Sequence, residues 1–163
     1  MNKENKIDWC DFIWDSVSLK KFAQILALYV QKKDVIALYG DLGTGKTTFA
    51  RAFIQALTDN QQDVPSPTFT LVQTYEIKQG TIWHFDLYRL KSLDEAYQLN
   101  LEEAFHEGIS LIEWPQRLEN ILPEYALKIY FNFNESSSTR KIKLYFNPYW
   151  ISRGKNILLQ IKK

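Results

Sequence analysis

The chain is poor in cysteine and has little excess of charge of either sign. Its 163 residues include one cysteine, Cys10, so no internal disulfide bond can form. A lone cysteine suits a reducing compartment. The formal net charge is +1. A net charge this small does not suggest that the protein wraps nucleic acid or adheres to acidic lipid.

Long apolar runs are also missing. No segment approaches the roughly 18 residues that a membrane-spanning helix needs, and the N-terminal MNKENKIDWCDF has no apolar signal-peptide region. Repeats and low-complexity tracts are absent from the sequence as well. Hydrophobic residues make up 45% of the chain and aromatic residues 15%, which is typical of a packed globular domain. We therefore expect one cytoplasmic domain over residues 1–163, without membrane association.

The chain alternates between segments with helical and with strand-like patterns of apolar residues. Ser18 is placed to cap the first predicted helix, and Ser92 with Glu95 forms a capping-box pattern. The predicted helices cover residues 18–30, 46–57, 92–105 and 115–122, and the predicted strands cover residues 34–40, 69–77, 81–90, 108–114, 125–135 and 140–147. This order predicts an α/β fold with a central, mostly parallel sheet, antiparallel additions and flanking helices.

The most specific signal is the segment GDLGTGKT at residues 40–47, between a predicted strand and a predicted helix. It matches G-x-x-x-x-G-K-[ST], the phosphate-binding loop (P-loop) of many nucleotide-binding proteins. Glycines let successive N–H groups converge on phosphate oxygens, and the helix directs its positive end at the same anion. Lys46 adds a cation for the β- and γ-phosphates, and the Thr47 hydroxyl can ligate Mg²⁺.

This segment predicts a single-domain P-loop NTPase fold that binds a nucleoside triphosphate together with Mg²⁺. The residues predicted to contact the nucleotide here are Asp41, Leu42, Gly43, Thr44, Gly45, Lys46, Thr47 and Thr48.

Phosphoryl transfer also needs a carboxylate near the metal ion, and two acids are candidates. Glu113 ends the apolar strand ISLIE, at the sheet edge where ligands bind in open α/β folds; the alternative is a solvated glutamate. Asp86 lies in the aromatic stretch WHFDLYR, where an unpaired buried charge is costly; the alternative is a structural pair with Arg89 or His84. We predict that Lys46, Glu113 and Asp86 are catalytic and that the two acids join Thr47 at the metal.

Three further features are predicted with their alternatives open. The segment SPTF at residues 66–69 offers the hydroxyls of Ser66 and Thr68 to the γ-phosphate, the metal or the attacking water, unless it is a plain proline turn. His84 is either a proton carrier or a hydrogen-bonded structural residue. Trp114 either packs beside the nucleotide or fills the core. We predict a catalytic role for Thr68 and nucleotide contacts for Ser66 and Trp114.

The motifs that are absent limit which nucleotide the protein binds and which reaction it catalyses. The guanine-reading pattern N-K-x-D occurs at residues 5–8, but in a charged N-terminal segment, and no D-x-x-G switch is present. ATP is therefore the predicted nucleotide. The five arginines are dispersed and form no arginine-rich lid of the kind that small-molecule kinases carry. Hydrolysis of ATP is the predicted reaction, with a P-loop small-molecule kinase and a nucleotide-gated binding module as alternatives.

Four motifs together resemble the TsaE (YjeE) family of ATPases in order and approximate spacing. They are GDLGTGKTTFAR, VPSPTFTLVQTY, HFDLYRL and LIEWPQ, and the resemblance covers about residues 16–134. The family serves the threonylcarbamoyladenosine modification of bacterial tRNA. The resemblance implies a compact P-loop domain that binds ATP and Mg²⁺ and hydrolyses ATP slowly. It also implies TsaD and TsaB as partners, whose complex the ATP cycle would reset, with tRNA reached only indirectly through that complex.

On the matching motifs, the resemblance implies that Lys46 contacts phosphate and that Thr47 and Glu113 hold Mg²⁺. It implies a catalytic or metal-linked role for Asp86 and a switch role for residues 66–68. Asn100 departs from the family pattern, in which a glycine is frequent after the preceding helix. The C-terminal hairpin and tail occupy residues 125–163, and residues 148–163 carry no family motif.

Overall fold

The computed structural model describes residues 9–163, so the N-K-x-D pattern at residues 5–8 lies outside the described part. The strands are β1 (Trp9–Asp15), β2 (Val35–Tyr39), β3 (Val72–Ile77), β4 (Gly80–Asp86), β5 (Ile109–Glu113), β6 (Leu127–Phe133) and β7 (Thr139–Tyr145). The helices are α1 (Ser16–Tyr29), α2 (Lys46–Leu57), α3 (Leu93–Tyr97), α4 (Leu101–Glu107) and α5 (Ile151–Ile161), with a 3-10 helix, η1 (Pro115–Ile121), after β5. No helix in this part of the chain combines the length and the apolar character that a bilayer span requires.

The strands form one sheet in the order β1-β7-β6-β2-β5-β4-β3. The four central strands, β6, β2, β5 and β4, run parallel to one another. Strands β7 and β1 extend one edge and β3 extends the other, each in antiparallel pairing. The predicted α/β fold with a parallel centre and antiparallel additions is thus confirmed.

The central strands are apolar because both faces of the sheet centre are covered. On β2, Ile36 and Leu38 belong to a buried cluster with side chains of α1, α2 and α5. Their neighbours Val35 and Ala37 point to the other face, into a second cluster with α3, α4 and η1. Because the four central strands run parallel, their carboxyl ends lie at one edge of the sheet, where α2 begins.

The start of the chain differs from the prediction. Residues 9–15 form an edge strand that pairs with β7, although no strand was predicted there. Its side chains alternate between exposed and half-buried, so its apolar signal is weak and its partner lies far away in sequence. Helix α1 begins at Ser16, and its cap is Asp15, whose Oδ1 accepts from Ser18 N at 2.8 Å. The prediction of Ser18 as the cap was wrong, because Asp15 offers a carboxylate at the end of β1.

The helix predicted over residues 92–105 is two helices, α3 and α4. Asn100 separates them with a left-handed backbone (φ 58°), which asparagine tolerates better than most residues and which explains why glycine serves at such a position. Ser92 caps α3 as predicted, since its hydroxyl accepts from Glu95 N at 3.2 Å. The Glu95 carboxylate accepts from Lys91 N rather than from Ser92 N, so the capping box is displaced by one residue.

Helix α5, in the tail without a family motif, is anchored by a buried ion pair. Arg153 Nη1 and Nη2 donate to the two carboxylate oxygens of Asp34 at 2.5 and 3.0 Å. Asp34 is fully buried and also accepts from the Tyr149 hydroxyl at 3.0 Å. Trp150 is buried too and donates its indole N–H to Tyr125 O at 2.9 Å. The tail is therefore part of the packed fold.

We expect Arg153→Met to lower the free energy of unfolding by about 3 kcal/mol, because the Asp34 carboxylate would stay buried without its countercharge. Arg117, an exposed arginine on η1, supplies the control: Arg117→Met should change stability by no more than about 0.5 kcal/mol. Denaturant unfolding of both variants at neutral pH measures the difference. Similar small losses in the two variants would contradict the anchoring role of Arg153.

Candidate nucleotide site

The glycine-rich loop joins β2 to α2 at the carboxyl edge of the sheet. Gly40 has φ 150° and no room for a side chain, because a Cβ would lie 2.5 Å from the carbonyl oxygen of Phe131 on β6. Gly45 precedes α2 in a left-handed conformation (φ 106°) and makes no side-chain cap. The N–H groups of the first turn of α2 are thus left without a side-chain acceptor, as an anion site at a helix start requires.

Lys46 is folded back over the loop. Its Nζ donates to the carbonyl oxygens of Gly40 and Asp41 at 2.5 and 2.8 Å, and it lies 4.4 Å from the ring centroid of Trp114. Burial lowers the pKa of Lys46, although the nearby carboxylates, Glu113 first among them, raise it partly back. A buried ammonium is poorly screened by water, so it interacts strongly with an incoming anion.

Trp114 turns out of β5 directly after Glu113. Its backbone is left-handed (φ 61°), an uncommon conformation for a bulky residue. The indole contacts the Lys46 ammonium and also the ring of Tyr88, whose centroid is 4.9 Å from that of Trp114. Trp114 borders the cleft and also packs against the second core cluster, and its contact with the nucleotide stays a prediction.

Glu113 is held from two sides at the end of β5. Thr47 Oγ1 donates to Glu113 Oε1 at 2.8 Å, and Glu113 Oε2 lies 2.9 Å from His84 Nε2. Glu113 is 1% exposed, so the alternative of a solvated glutamate at a strand end is wrong. The parallel register places Asp86 directly beside Glu113 on β4, which brings the two predicted acids together.

Asp86 ties residues 66–69 to the sheet edge. Its Oδ2 accepts from Ser66 Oγ at 3.2 Å and from Thr68 Oγ1 at 3.1 Å. Its Oδ1 accepts from Tyr88 N at 3.1 Å. Both hydroxyls of the segment thus converge on one carboxylate that borders the cleft, and their contacts with phosphate, metal or water stay predictions.

The alternative partners named for Asp86 lie elsewhere. His84 is directed at Glu113, and the Arg89 guanidinium lies 4.2 Å from the ring centroid of Phe69. Among the described residues, no ion pair joins Asp86 to Arg89 or His84. The structural-pair alternative for Asp86 is therefore wrong.

These groups line one open cleft of about 280 Å³. Every residue predicted for the site lines it except two. Asp41 instead offers its carbonyl oxygen to Lys46 and to Thr44 Oγ1. Thr44 is buried and borders a neighbouring cleft. The sequence motifs thus come together as one site in three dimensions.

The neighbouring cleft of about 240 Å³ shares part of the glycine-rich loop and adds residues that carry no motif. Trp14 reaches it from β1, Ser137 and Ser138 from the turn between β6 and β7, and Arg140 from the start of β7. Arg140 Nη2 lies 3.4 Å from Gly43 O, and Arg140 Nε is buried without a hydrogen-bond partner in residues 9–163. Only the pairing of β1 with β7 and of β7 with β6 brings these residues to the loop.

The donor set fits Mg²⁺ bound together with phosphates. Within residues 9–163, no three His, Cys, Asp or Glu side chains are grouped as a metal cage. In phosphate-transfer sites Mg²⁺ is instead held by one or two protein groups, phosphate oxygens and water. The Thr47 hydroxyl and the Glu113 carboxylate, in contact at 2.8 Å, are hard oxygen donors of this kind, and they lie beside the loop that suits the phosphates.

Comparison with known proteins gives one consistent result. The family model for threonylcarbamoyl adenosine biosynthesis protein TsaE matches residues 14–142. The tRNA threonylcarbamoyladenosine biosynthesis protein TsaE of Haemophilus influenzae is 40% identical over 141 residues, 85% of each chain. The protein of that name from Rickettsia felis is 45% identical over 110 residues, which cover 68% of this chain and 64% of the relative. The crystal structure of Bacillus subtilis YdiB aligns over 96% of this chain and 95% of its own, with 26% identity and a TM-score of 0.72.

Proposed function

Because this chain belongs to the TsaE family, we propose that it is the Mg²⁺-dependent ATPase subunit of the machinery that makes threonylcarbamoyladenosine in tRNA. The observation that carries the ATPase proposal is the meeting of three elements in one cleft: the glycine-rich loop, the Thr47–Glu113 pair and Asp86 with its two hydroxyl partners. The proposal of the tRNA modification pathway rests on the names of the relatives.

Each side chain has a task that follows from its contacts. Lys46 exchanges its carbonyl acceptors for oxygens of the β- and γ-phosphates. Thr47 and Glu113 would hold Mg²⁺, which neutralises phosphate charge when bound. Ser66 and Thr68, held by Asp86, orient the attacking water or the γ-phosphate.

The neighbouring cleft is proposed to take the nucleoside part of ATP. It continues from the phosphate loop and shares Gly43, Gly45 and Thr48 with the first cleft. Arg140 is the cationic side chain that lines this cleft among the described residues. The Nε–H of Arg140 is buried without a hydrogen-bond partner in the described chain, which suits a polar ligand.

The partners are proposed to be TsaD and TsaB, with ATP turnover resetting their complex and tRNA reached through that complex. Phe69 supports a partner contact at the site, because this large apolar residue is 80% exposed and directly follows Thr68. A protein that covers Phe69 would also contact the segment whose two hydroxyls are held by Asp86, which gives partner binding a route to the site of hydrolysis.

Copurification tests the proposal. We expect this protein to bind TsaB and TsaD in a manner that depends on ATP, and to release phosphate faster in their presence.

Cells depleted of the protein should lose threonylcarbamoyladenosine from digested tRNA, as measured by mass spectrometry. Normal levels of the modification after depletion would overturn the pathway, and phosphate transferred to an added metabolite would indicate a kinase instead.

A further inference from the structure

We propose that His84 is a positioning residue for the magnesium site, acting through the carboxylate of Glu113. The inference rests on the proposed ATPase function and deepens it. Its basis is a buried polar side chain whose one hydrogen bond among residues 9–163 is directed at the acid of the site.

The sheet brings the two side chains together. Strands β4 and β5 run parallel, and His84 lies opposite Leu111 in their register. Glu113 is two residues further along β5 and points to the same face, which makes His84 and Glu113 diagonal neighbours. Their side chains are 0% and 2% exposed. The bond between them is therefore sealed from solvent beneath the cleft.

The chemistry of Glu113 determines which of the two side chains donates the hydrogen bond. A carboxylate only accepts hydrogen bonds, so the shared hydrogen is placed on His84 Nε2. The second ring nitrogen, Nδ1, is buried and has no hydrogen-bond partner in the described chain. His84 has no solvent contact of its own and bonds to Glu113, so the geometry favours a positioning role over that of a proton carrier.

The consequence for the metal site runs through Thr47. One carboxylate oxygen of Glu113 accepts from His84 and the other accepts from the Thr47 hydroxyl. Two donors on opposite oxygens fix the rotation of the carboxylate. Since the single Thr47 hydrogen is directed at Glu113, the lone pairs of Thr47 are free for a cation. Without His84, the carboxylate could turn and the orientation of both oxygens would be lost.

Groups that orient metal ligands in this way have measurable effects. Their removal usually costs 10–100-fold in metal affinity or activity, whereas a residue that only fills space affects stability. The difference can be measured with Mn²⁺ as a probe for the magnesium site, by the electron paramagnetic resonance of free Mn²⁺ in the presence of ADP.

His84→Leu removes the donor, His84→Asn carries an amide too short to reach Glu113, and His84→Gln places an amide N–H at a reach similar to Nε2. We expect the Leu and Asn variants to bind Mn²⁺ about 10–100-fold more weakly. We expect the Gln variant to remain within about threefold of the unaltered protein. ADP affinity in EDTA should be unchanged in all three, because the metal-free nucleotide does not use Glu113.

His106→Gln is the matched control, because His106 is exposed on α4 and bonds only to Glu102 O in the described chain. Unchanged Mn²⁺ affinity in a folded Asn or Leu variant would overturn the proposal, as would equal losses in the Asn and Gln variants. If the Leu variant does not fold, the comparison of Asn with Gln decides. Failure of the unaltered protein to bind ADP with Mn²⁺ would refute the ATPase function instead.

Discussion

Replacing Lys46 with methionine is expected to abolish ATP binding below millimolar concentrations and to lower hydrolysis by at least about 100-fold. The ammonium is buried among loop carbonyls and lies against the face of Trp114, where no other described cation borders the cleft. Methionine keeps the apolar stem as far as Cε but brings no charge to the β- and γ-phosphates. Calorimetry with ATP and Mg²⁺, followed by steady-state phosphate release, measures both effects.

Lys155→Met provides the comparison, since Lys155 is exposed on α5 and lines neither cleft. That variant should bind and hydrolyse ATP as the unaltered protein does. Tight ATP binding by a folded Lys46→Met variant would refute the assignment of the glycine-rich loop as the phosphate site.

Glu113→Gln should separate binding from turnover. The amide keeps the size of the side chain and can still accept from Thr47, but it removes the negative charge beside the metal position. We expect hydrolysis to fall by about 100-fold or more, while ATP affinity in EDTA changes by less than about threefold, because the loop and Lys46 are untouched. Phosphate release at saturating ATP and calorimetry without metal distinguish the two outcomes.

Glu103, an exposed acid on α4, is the matched position, and Glu103→Gln should leave hydrolysis unchanged. Full hydrolysis by Glu113→Gln would move the metal role to Asp86. The third alternative from the sequence, a binding module in which hydrolysis is incidental, predicts that Glu113→Gln still assembles with partners and supports tRNA modification without turnover.

The parts of the site that sequence predicts well are short and local. Residues 40–47 form a loop from contiguous positions, so glycine spacing and Lys46 are sufficient to recognise it. Glu113 and Asp86 are the last residues of two strands that are otherwise mostly apolar. Because the two strands are parallel, both end at the same edge of the sheet. Their meeting therefore follows from strand order as soon as the sheet is recognised.

The parts that sequence missed depend on contacts between distant segments. Arg140 and Ser137 reach the glycine-rich loop only because β7 lies between β1 and β6, and the alternating pattern of β1 gave too little apolar signal to place it. The bond from His84 to Glu113 needs the register of β4 on β5, which no local pattern specifies. Asp15 displaced Ser18 as a cap because it closes a strand that was not foreseen.

One edge of the sheet consists of β1 paired with β7, two strands from distant parts of the chain, and this limits how the chain can be truncated. A fragment trimmed to residues 14–142, the extent of the family match, would keep two residues of β1 and about half of β7. It would also discard Trp150 and Arg153, leaving Asp34 unpaired in the interior. We expect such a fragment to be insoluble on expression, because the residues of the family match are fewer than the residues that pack together in the fold.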